Sequence, residues 1–398
     1  GGGGPGGGLG ALQGLTFVCQ HLSFAAHSRM DVSDCEIHGH MQFFEGCAPI
    51  VTYSRLRTVM MTDDSAPELF MNKVNAVAVN GNTFRDNSPM SETDQVMVRV
   101  TGRSKPKISN CEINESVFEE PALELEFDAA PEIKDCKIEG NMGIGVRMNQ
   151  RCRAKLFQND INKNGHQGVV VCGNAEPLLE RNQLMGNKNT AIHVLGDSRP
   201  TLEENSMFMN DQAGVLVSGR GRPVMRLNKI QGNQGPGAVL NGEAGGSYVG
   251  NVLQGNHGPG VTISGTAEGT WEGNKVQLNQ ASGIMIWGEA APEINANNIH
   301  ENKEAGICLG ECVTASVTSN VVFKNGGCGA VYGDSSGGLC HGNEFKENNG
   351  LGMLITGKAK PDMRENQIKG NREGGINSED PEALQNIKDL NYVFANGG

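Results

Sequence analysis

Aromatic residues are scarce in this chain: they make up 5% of its 398 residues, with two Trp and four Tyr. A core built around large rings is therefore not the expected one. No apolar run approaches the roughly 18 residues that a membrane-crossing helix needs, so no such span is expected. Positive charge is in deficit, with a formal net charge of −12 and a pI near 5.3. An acidic chain repels phosphate backbones and anionic lipid, which counts against nucleic acid and membranes as partners. The 11 cysteines are odd in number and lack the dense spacing of a small secreted scaffold. They read as reduced thiols in an intracellular protein, in cytoplasm, nucleus or another organelle. The opening GGGGPGGG has neither the apolar core of a signal peptide nor the basic character of a transit segment. Residues 1–9 read as a flexible linker, and the chain as a fragment or processed form of something longer.

What the chain has in abundance is glycine, 56 residues of it, and asparagine, both of which favour tight turns. The mean hydropathy is −0.37, yet 37% of residues are hydrophobic and they recur periodically. The motif Asn-x-aliphatic recurs from Asn159 through Asn182 and Asn205 to Asn366, always at the same 23-residue interval. A second Asn follows five positions after each first one, from Asn164 to Asn371. A small residue comes four further on, from Gly168 to Gly375, with Ala191 as the one exception.

Each unit holds three short alternating segments, as in Pro200-Thr201-Leu202, Asn297-Asn298-Ile299 and Gly214-Val215-Leu216-Val217. Period-two alternation in such short runs predicts strands, and the Gly, Asn and Pro between them predict turns. Strands that recur at one interval and stack on their equivalents describe an all-β chain, a right-handed parallel β-helix of three strands per coil. Aligned Asn side chains then hydrogen-bond up and down an internal column. Cys136, Cys111 and Cys35 occupy the same place in upstream motifs, where small thiols stand in for Asn.

The organisation reads as irregular coils over 10–130, regular coils over 131–377 and a cap or tail over 378–398. Upstream, Pro49, Pro67 and Pro106 still lead by five positions to Ser54, Asn72 and Cys111, but coil lengths vary. Met60–Ala66 and Ser88–Asp94 read as longer loops, which are common places for binding residues. In the tail, Asp380-Pro381-Glu382 opens a helix, and Leu384, Ile387, Leu390 and Val393 or Phe394 recur at helical spacing. The expectation is an amphipathic helix that plugs the open apolar end.

The unit P-x-I-x-x-N-x-I-x-x-N-x-x-x-G-I-x-V resembles the β-helix repeat of the pectin-lyase-like superfamily. In its repeat length it is most similar to the arrays of F-box ubiquitin-ligase receptors and of SHC-binding, spindle-associated proteins. The resemblance implies the fold over about residues 100–376. For function it implies little, because this architecture serves lyases, hydrolases, epimerases and binding proteins. No F-box-like helical segment is visible. The Asp-Pro-His-Glu of alginate-type epimerases and the Gly-His-Gly of polygalacturonases are also absent.

Glycoside hydrolysis needs two carboxylates flanking the bond. Asp63-Asp64 is the one Asp pair, and Glu203-Glu204 beside Glu180 reads as ordinary surface. His38-Gly39-His40 offers two metal ligands without a third. Cys308, Cys312, Cys328 and Cys340-His341 fall in different columns, so no zinc site is expected, and no cofactor is implied.

In the third segment the flanking residues point inward and the middle one outward. The outward column reads Val170, His193, Leu216, Val239, Thr262, Met285, Cys308, Val331 and Leu354, of which seven are apolar. The equivalent column after the first Asn, from Asp160 to Gln367, is mostly polar. Upstream, Arg99, Glu124 and Arg147 end the apolar column, and Asn377 follows it. An exposed apolar strip means that something covers it: a protein partner, a second copy, or this chain's own tail or N-terminal coils. The leading expectation is a non-catalytic scaffold or adaptor, a subunit of a larger complex, which binds protein through this column. The alternative is a polysaccharide lyase or hydrolase using Asp63, Asp64, Arg85 and Asp86. A third reading, a receptor for peptides or nucleic acid, rests on Arg220, Arg222 and Arg226.

Overall fold

The computed structural model describes residues 11–18, 21–25, 28–75 and 96–397. The GGGGPGGG segment, the Ser88–Asp94 loop and the candidates Arg85 and Asp86 lie outside them. The chain divides into two compact units, residues 1–183 and 184–398, and both are wound as right-handed parallel β-helix.

One coil of the second unit shows the plan. Thr201–Glu203, Ser206–Phe208 and Val215–Val217 are its three strands. They pair in parallel with the next coil at Thr201↔Val224, Ser206↔Lys229 and Val215↔Ala238, so all three sheets advance by one repeat together. Side chains at the middle of the first two strands and the ends of the third fill the interior: Leu202, Met207, Val215 and Val217 are buried. The scarce large rings are placed here too. Tyr248 and Trp271 occupy one interior column in adjacent coils and stack at 4.0 Å, with the Tyr248 hydroxyl donating to the Gly245 carbonyl at 2.8 Å.

The interior corners carry two asparagine ladders. Asn251 donates its backbone N–H (2.9 Å) and its Nδ2 (3.0 Å) to Oδ1 of Asn274, and the same Nδ2 donates to the Met225 carbonyl at 3.1 Å. Asn274 repeats the set toward Asn297 and the Tyr248 carbonyl. Every side chain thus accepts two bonds and donates two, its full complement. The second ladder does the same from Asn256 to Asn279. In the first unit other small groups continue the column: Cys136 N–H donates to Asn159 Oδ1, Cys111 N–H to Cys136 Sγ, and Cys35 N–H to Ser54 Oγ.

The residue before each ladder Asn turns the corner in the left-handed region. Gln158, Glu204, Leu227 and Leu278 all have φ between 52° and 57°. Glycine fills this place at Gly250 and Gly232, which accounts for part of the glycine excess.

Coil lengths vary in the first unit. Val98 pairs with Val59 on one side and with Leu123 on the other, and the stretch of chain back to Val59 is much the longer. Glu36–Phe43 and Arg55–Met61 are its longest strands, and their register shifts between Ile37 and His40.

The tail carries the expected C-terminal helix, but a shorter one than the hydrophobic spacing implies. The helix α1 spans Pro381–Asp389, with the Asp380 carbonyl accepting the Leu384 N–H at its start. It ends before Leu390, which is 57% exposed, and Tyr392–Phe394 is a strand paired with Gln367–Lys369. The physical reason is ladder capture. Asn366 donates to Asn391 Oδ1 and Asn371 to Asn396 Oδ1, each at 3.0 Å, so both ladders run on into a last coil of 25 residues. Asn391 Nδ2 also caps the Ile387 carbonyl at 2.6 Å, which helps stop the helix there.

Two outcomes follow from this geometry. Asn274→Ala removes four side-chain bonds and leaves buried polar groups of Asn251, Asn297 and Tyr248 short of partners. It is expected to cost about 3 kcal/mol or more, seen by calorimetry as a fall in Tm of about 10 °C. Leu227→Gly, at an exposed left-handed corner, relieves backbone strain and is expected to raise stability by about 1 kcal/mol in the same measurement.

Candidate functional site

The outward column lies where the strand alternation puts it. In the second unit His193, Leu216, Val239, Thr262, Met285, Cys308, Val331 and Leu354 pair in unbroken succession along the third sheet. Seven of these eight are half-buried, and Thr262 is 6% exposed. Val170 belongs to the first unit, where it pairs with Arg147 and is 8% exposed. The column is therefore a low ledge rather than a crest. Half-buried Pro236 and Pro259 lie in the turns that lead into this sheet, and half-buried Ser218, Ser264 and Trp287 directly follow its strands. His193 Nε2 and Ser218 Oγ stand 2.9 Å apart, and burial holds that imidazole's pKa down. Burial, with help from the nearby Glu304 and Asp334 carboxylates, pushes the Cys308 thiol up. The raised pKa leaves the Cys308 thiol less ready to form a thiolate. The helix α1 packs on Gly374–Ser378 and Tyr392–Phe394.

In the first unit the same outward column carries charge. Glu124 sits between Arg99 and Arg147 on adjacent strands, and its side chain is 1% exposed. Arg147 Nε donates to it at 2.9 Å and Nη2 adds a second bond, while Arg99 Nη2 reaches its other oxygen. Two guanidiniums on one buried carboxylate meet the demand that a buried charge be paired. Glu126, two positions on and facing the same way, lies 4.0 Å from Arg99 Nε. Its pKa is raised, first by burial and then by the Glu124 carboxylate. The three column residues stand out in the sequence, but nothing in their unequal spacing marks them as an ion network, nor Glu126 as its fourth member.

The other candidates are not brought together. Asp63 turns a corner at φ 58° and Asp64 pairs with Arg103 at 2.9 Å, both in solvent. His38 stands 3.7 Å from Glu36, whereas His40 meets Thr58 at 2.6 Å and stacks on His21. Among the described residues no group of three His, Cys, Asp or Glu is placed to hold a metal. Cys312 is exposed, Cys308 and Cys328 are half-buried, and Cys340 is buried with its thiol pushed up to about 12. Arg220 is held by Asp197 at 2.7 Å, while Arg222 and Arg226 are exposed. A depression of about 290 Å³ in the first unit is lined by Gly14, Asp34, Glu36, Tyr53 and Arg55 among others.

Three sheets of short parallel strands around asparagine ladders define the class as parallel β-helix. The right handed beta helix region model matches residues 121–270 and 245–387, more than half of the chain, and the chain belongs to that family. A mutant of the periplasmic alginate epimerase AlgG is similar in structure at 12% identity and a TM-score of 0.47, over 94% of this chain and 78% of that one. Tailspike protein 3 of Bacteriophage CBA120 follows at 10% identity and 0.43, over 90% and 56%. The A-module of the Azotobacter vinelandii mannuronan C-5 epimerase AlgE6 is 15% identical, with a TM-score of 0.30, over 94% and 92%. These likenesses carry no argument about substrate or activity. No curated protein matches the chain.

Glu126 offers a direct check on the charged cluster. A carboxyl whose folded pKa is raised holds its proton more tightly folded than unfolded. Its ionisation therefore costs stability above that pKa, and the cost disappears as the pH falls through it. Glu126→Gln is expected to raise Tm at pH 7, with the gain shrinking toward pH 4, as read by thermal melts across that range.

Proposed function

We propose that this chain is a non-catalytic β-helix scaffold that binds another protein along the outward column of its third sheet, as a subunit of a larger intracellular complex. The observation that supports it is the column itself: in the second unit Leu216, Val239, Met285, Val331 and Leu354 present apolar, half-buried surface, with Thr262 and Cys308 on the coils between them. An interior already filled by Leu202, Val215 and their equivalents has no need of apolar residues outside it. Continuous apolar surface on the exterior of a soluble fold is the usual mark of a covered face. The likeness of the repeat unit to the arrays of F-box receptors and SHC-binding proteins points the same way. The reading calls for no metal and no cofactor.

A second reading, a polysaccharide lyase or hydrolase, draws on Glu124 and Glu126. Two carboxyls on one face, one gripped by arginines and the other with a raised pKa, are the elements from which acid–base pairs are made. Against it, Glu124 is 1% exposed and closed off by its arginines, which leaves little room for a sugar between the two. Thermal stabilisation by an anionic polysaccharide, lost in Glu126→Gln, would move this reading ahead.

Leu216→Gln with Met285→Gln tests the scaffold reading without altering charge. Both side chains face outward, so the fold is expected to persist with Tm changed by no more than about 3 °C. Cross-links between the column and a partner in native extract, mapped by mass spectrometry, should be lost. Retention of the same cross-links by this variant would overturn the reading.

A further inference from the structure

We propose that the segment seated on this column is a basic amphipathic α-helix lying along the stack of coils, with its Lys or Arg flank on an acidic rim. The inference rests on the scaffold reading and names the chemistry of its partner. Beside the stretch of column from Val239 to Val331, the turns that leave the third sheet carry Glu243, Glu268, Glu289, Glu311 and Asp334. These are five exposed carboxylates along five consecutive coils. Among the described residues none is in ion-pair contact with a Lys or Arg. The rim is bounded: the coil before it has Arg220, engaged by Asp197, and exposed Arg222, whose guanidinium lies over Gly245 at the rim's first coil, and the coil after it has Lys358. Along the opposite border of the column the exposed residues at Gln234, His257 and Gln280 are not acidic. Further along that border Lys303 and Glu304 are exposed side by side and offset one another, so the surface is apolar in the middle with its excess of negative charge on one side.

Such a face selects its occupant by charge and by pitch. Five unneutralised carboxylates repel one another and draw a cationic flank, which disfavours acidic polysaccharide, nucleic acid and anionic lipid. Neighbouring coils stand about 4.8 Å apart, so the rim rises by one carboxylate per 4.8 Å or so, with Glu268 further round its turn than the other four. A helix laid parallel to the stack presents one flank residue per turn, about every 5.4 Å. Over four intervals the two differ by about 2.4 Å, within the reach of flexible Lys side chains. An extended strand presents same-face residues about every 6.7 Å and falls out of register by about 8 Å over the same span. Gly333 lies between column and rim and leaves the backbone low there, whereas the Asp334 carboxylate lies over Gly310 and accepts the Glu311 N–H at 2.9 Å. The rim's length corresponds to about 13 helical residues.

The test uses the full chain against a display library of 18-residue amphipathic helices. One face of each helix is Leu and Ala, and its flank positions are drawn equally from Lys, Glu and Ser. Expected is enrichment of Lys over Glu by about tenfold or more on one flank, from several weak exposed ion pairs acting together. The enrichment should invert on a chain carrying Glu289→Lys with Glu311→Lys, whose melting curve shows it folded. Equal recovery of Lys and Glu, or the same recovery from both chains, would overturn the proposal. So would a dimer of the wild-type chain that Leu216→Gln with Met285→Gln returns to monomer, since the occupant would then be a second copy. If the charge-reversed chain keeps its native cross-links and the Gln variant loses them, the basic helix falls while the scaffold reading stands.

Discussion

The structure depends on the fact that asparagine has two acceptor sites and two donors at the end of one short arm. At the two interior corners of each coil the chain must bend where no sheet partner can satisfy its backbone. Asn251 donates to the Met225 carbonyl of the preceding coil, and Asn274 Oδ1 accepts the backbone amide of Asn251 in turn. Aspartate would lack the two donors, and glutamine would place them one bond too far. Because each member completes the one before it, the column is fully satisfied only when every coil supplies the same residue at the same depth. That demand explains the strictness of the repeat interval better than any requirement of the apolar core, which accepts Ala238, Met353, Tyr248 or Trp271 at its positions.

The fold was legible for this reason: polar side chains that must align leave a periodic trace, whereas apolar packing tolerates exchange. The helix of the tail was legible too, but its end was not, because the trace changes interval there. The step from Asn366 to Asn391 is longer than the repeat, and Leu384, Ile387 and Leu390 supplied a helical pattern in between. Hydrophobic spacing cannot tell a helix that ends at Asp389 from one that runs through Val393, but the Asn391-Tyr392-Val393 motif could have done so. The left-handed corner at Leu227 carried no signal at all, since leucine there is dictated by position and not by preference.

Of the candidate site, the facing of the outward column could be read because alternation decides it. The pairing of Arg99, Glu124 and Arg147 could not, because variable coil lengths in the first unit hide which residues become neighbours. The acidic rim was equally hidden: its members occupy several positions within their turns, so no column in the sequence collects them. Interior and exterior of this fold thus answer to different constraints. The interior fixes residue type at fixed intervals, and the exterior leaves composition free, which is where a binding surface can arise without disturbing what lies beneath it.

The last coil shows how the ladders treat irregular length. Two additional residues, together with the whole of α1, are accommodated between Ser378 and Asn391 while both columns continue unbroken. A chain built this way counts in whole turns. Gain or loss of one complete coil leaves each remaining asparagine facing another, whereas a fractional change strands one unless a bulge at a corner absorbs it. Duplication of a single turn is therefore a nearly neutral event for such a molecule. Its length, and with it the span of any surface it displays, becomes a quantity that heredity can lengthen or trim in discrete steps.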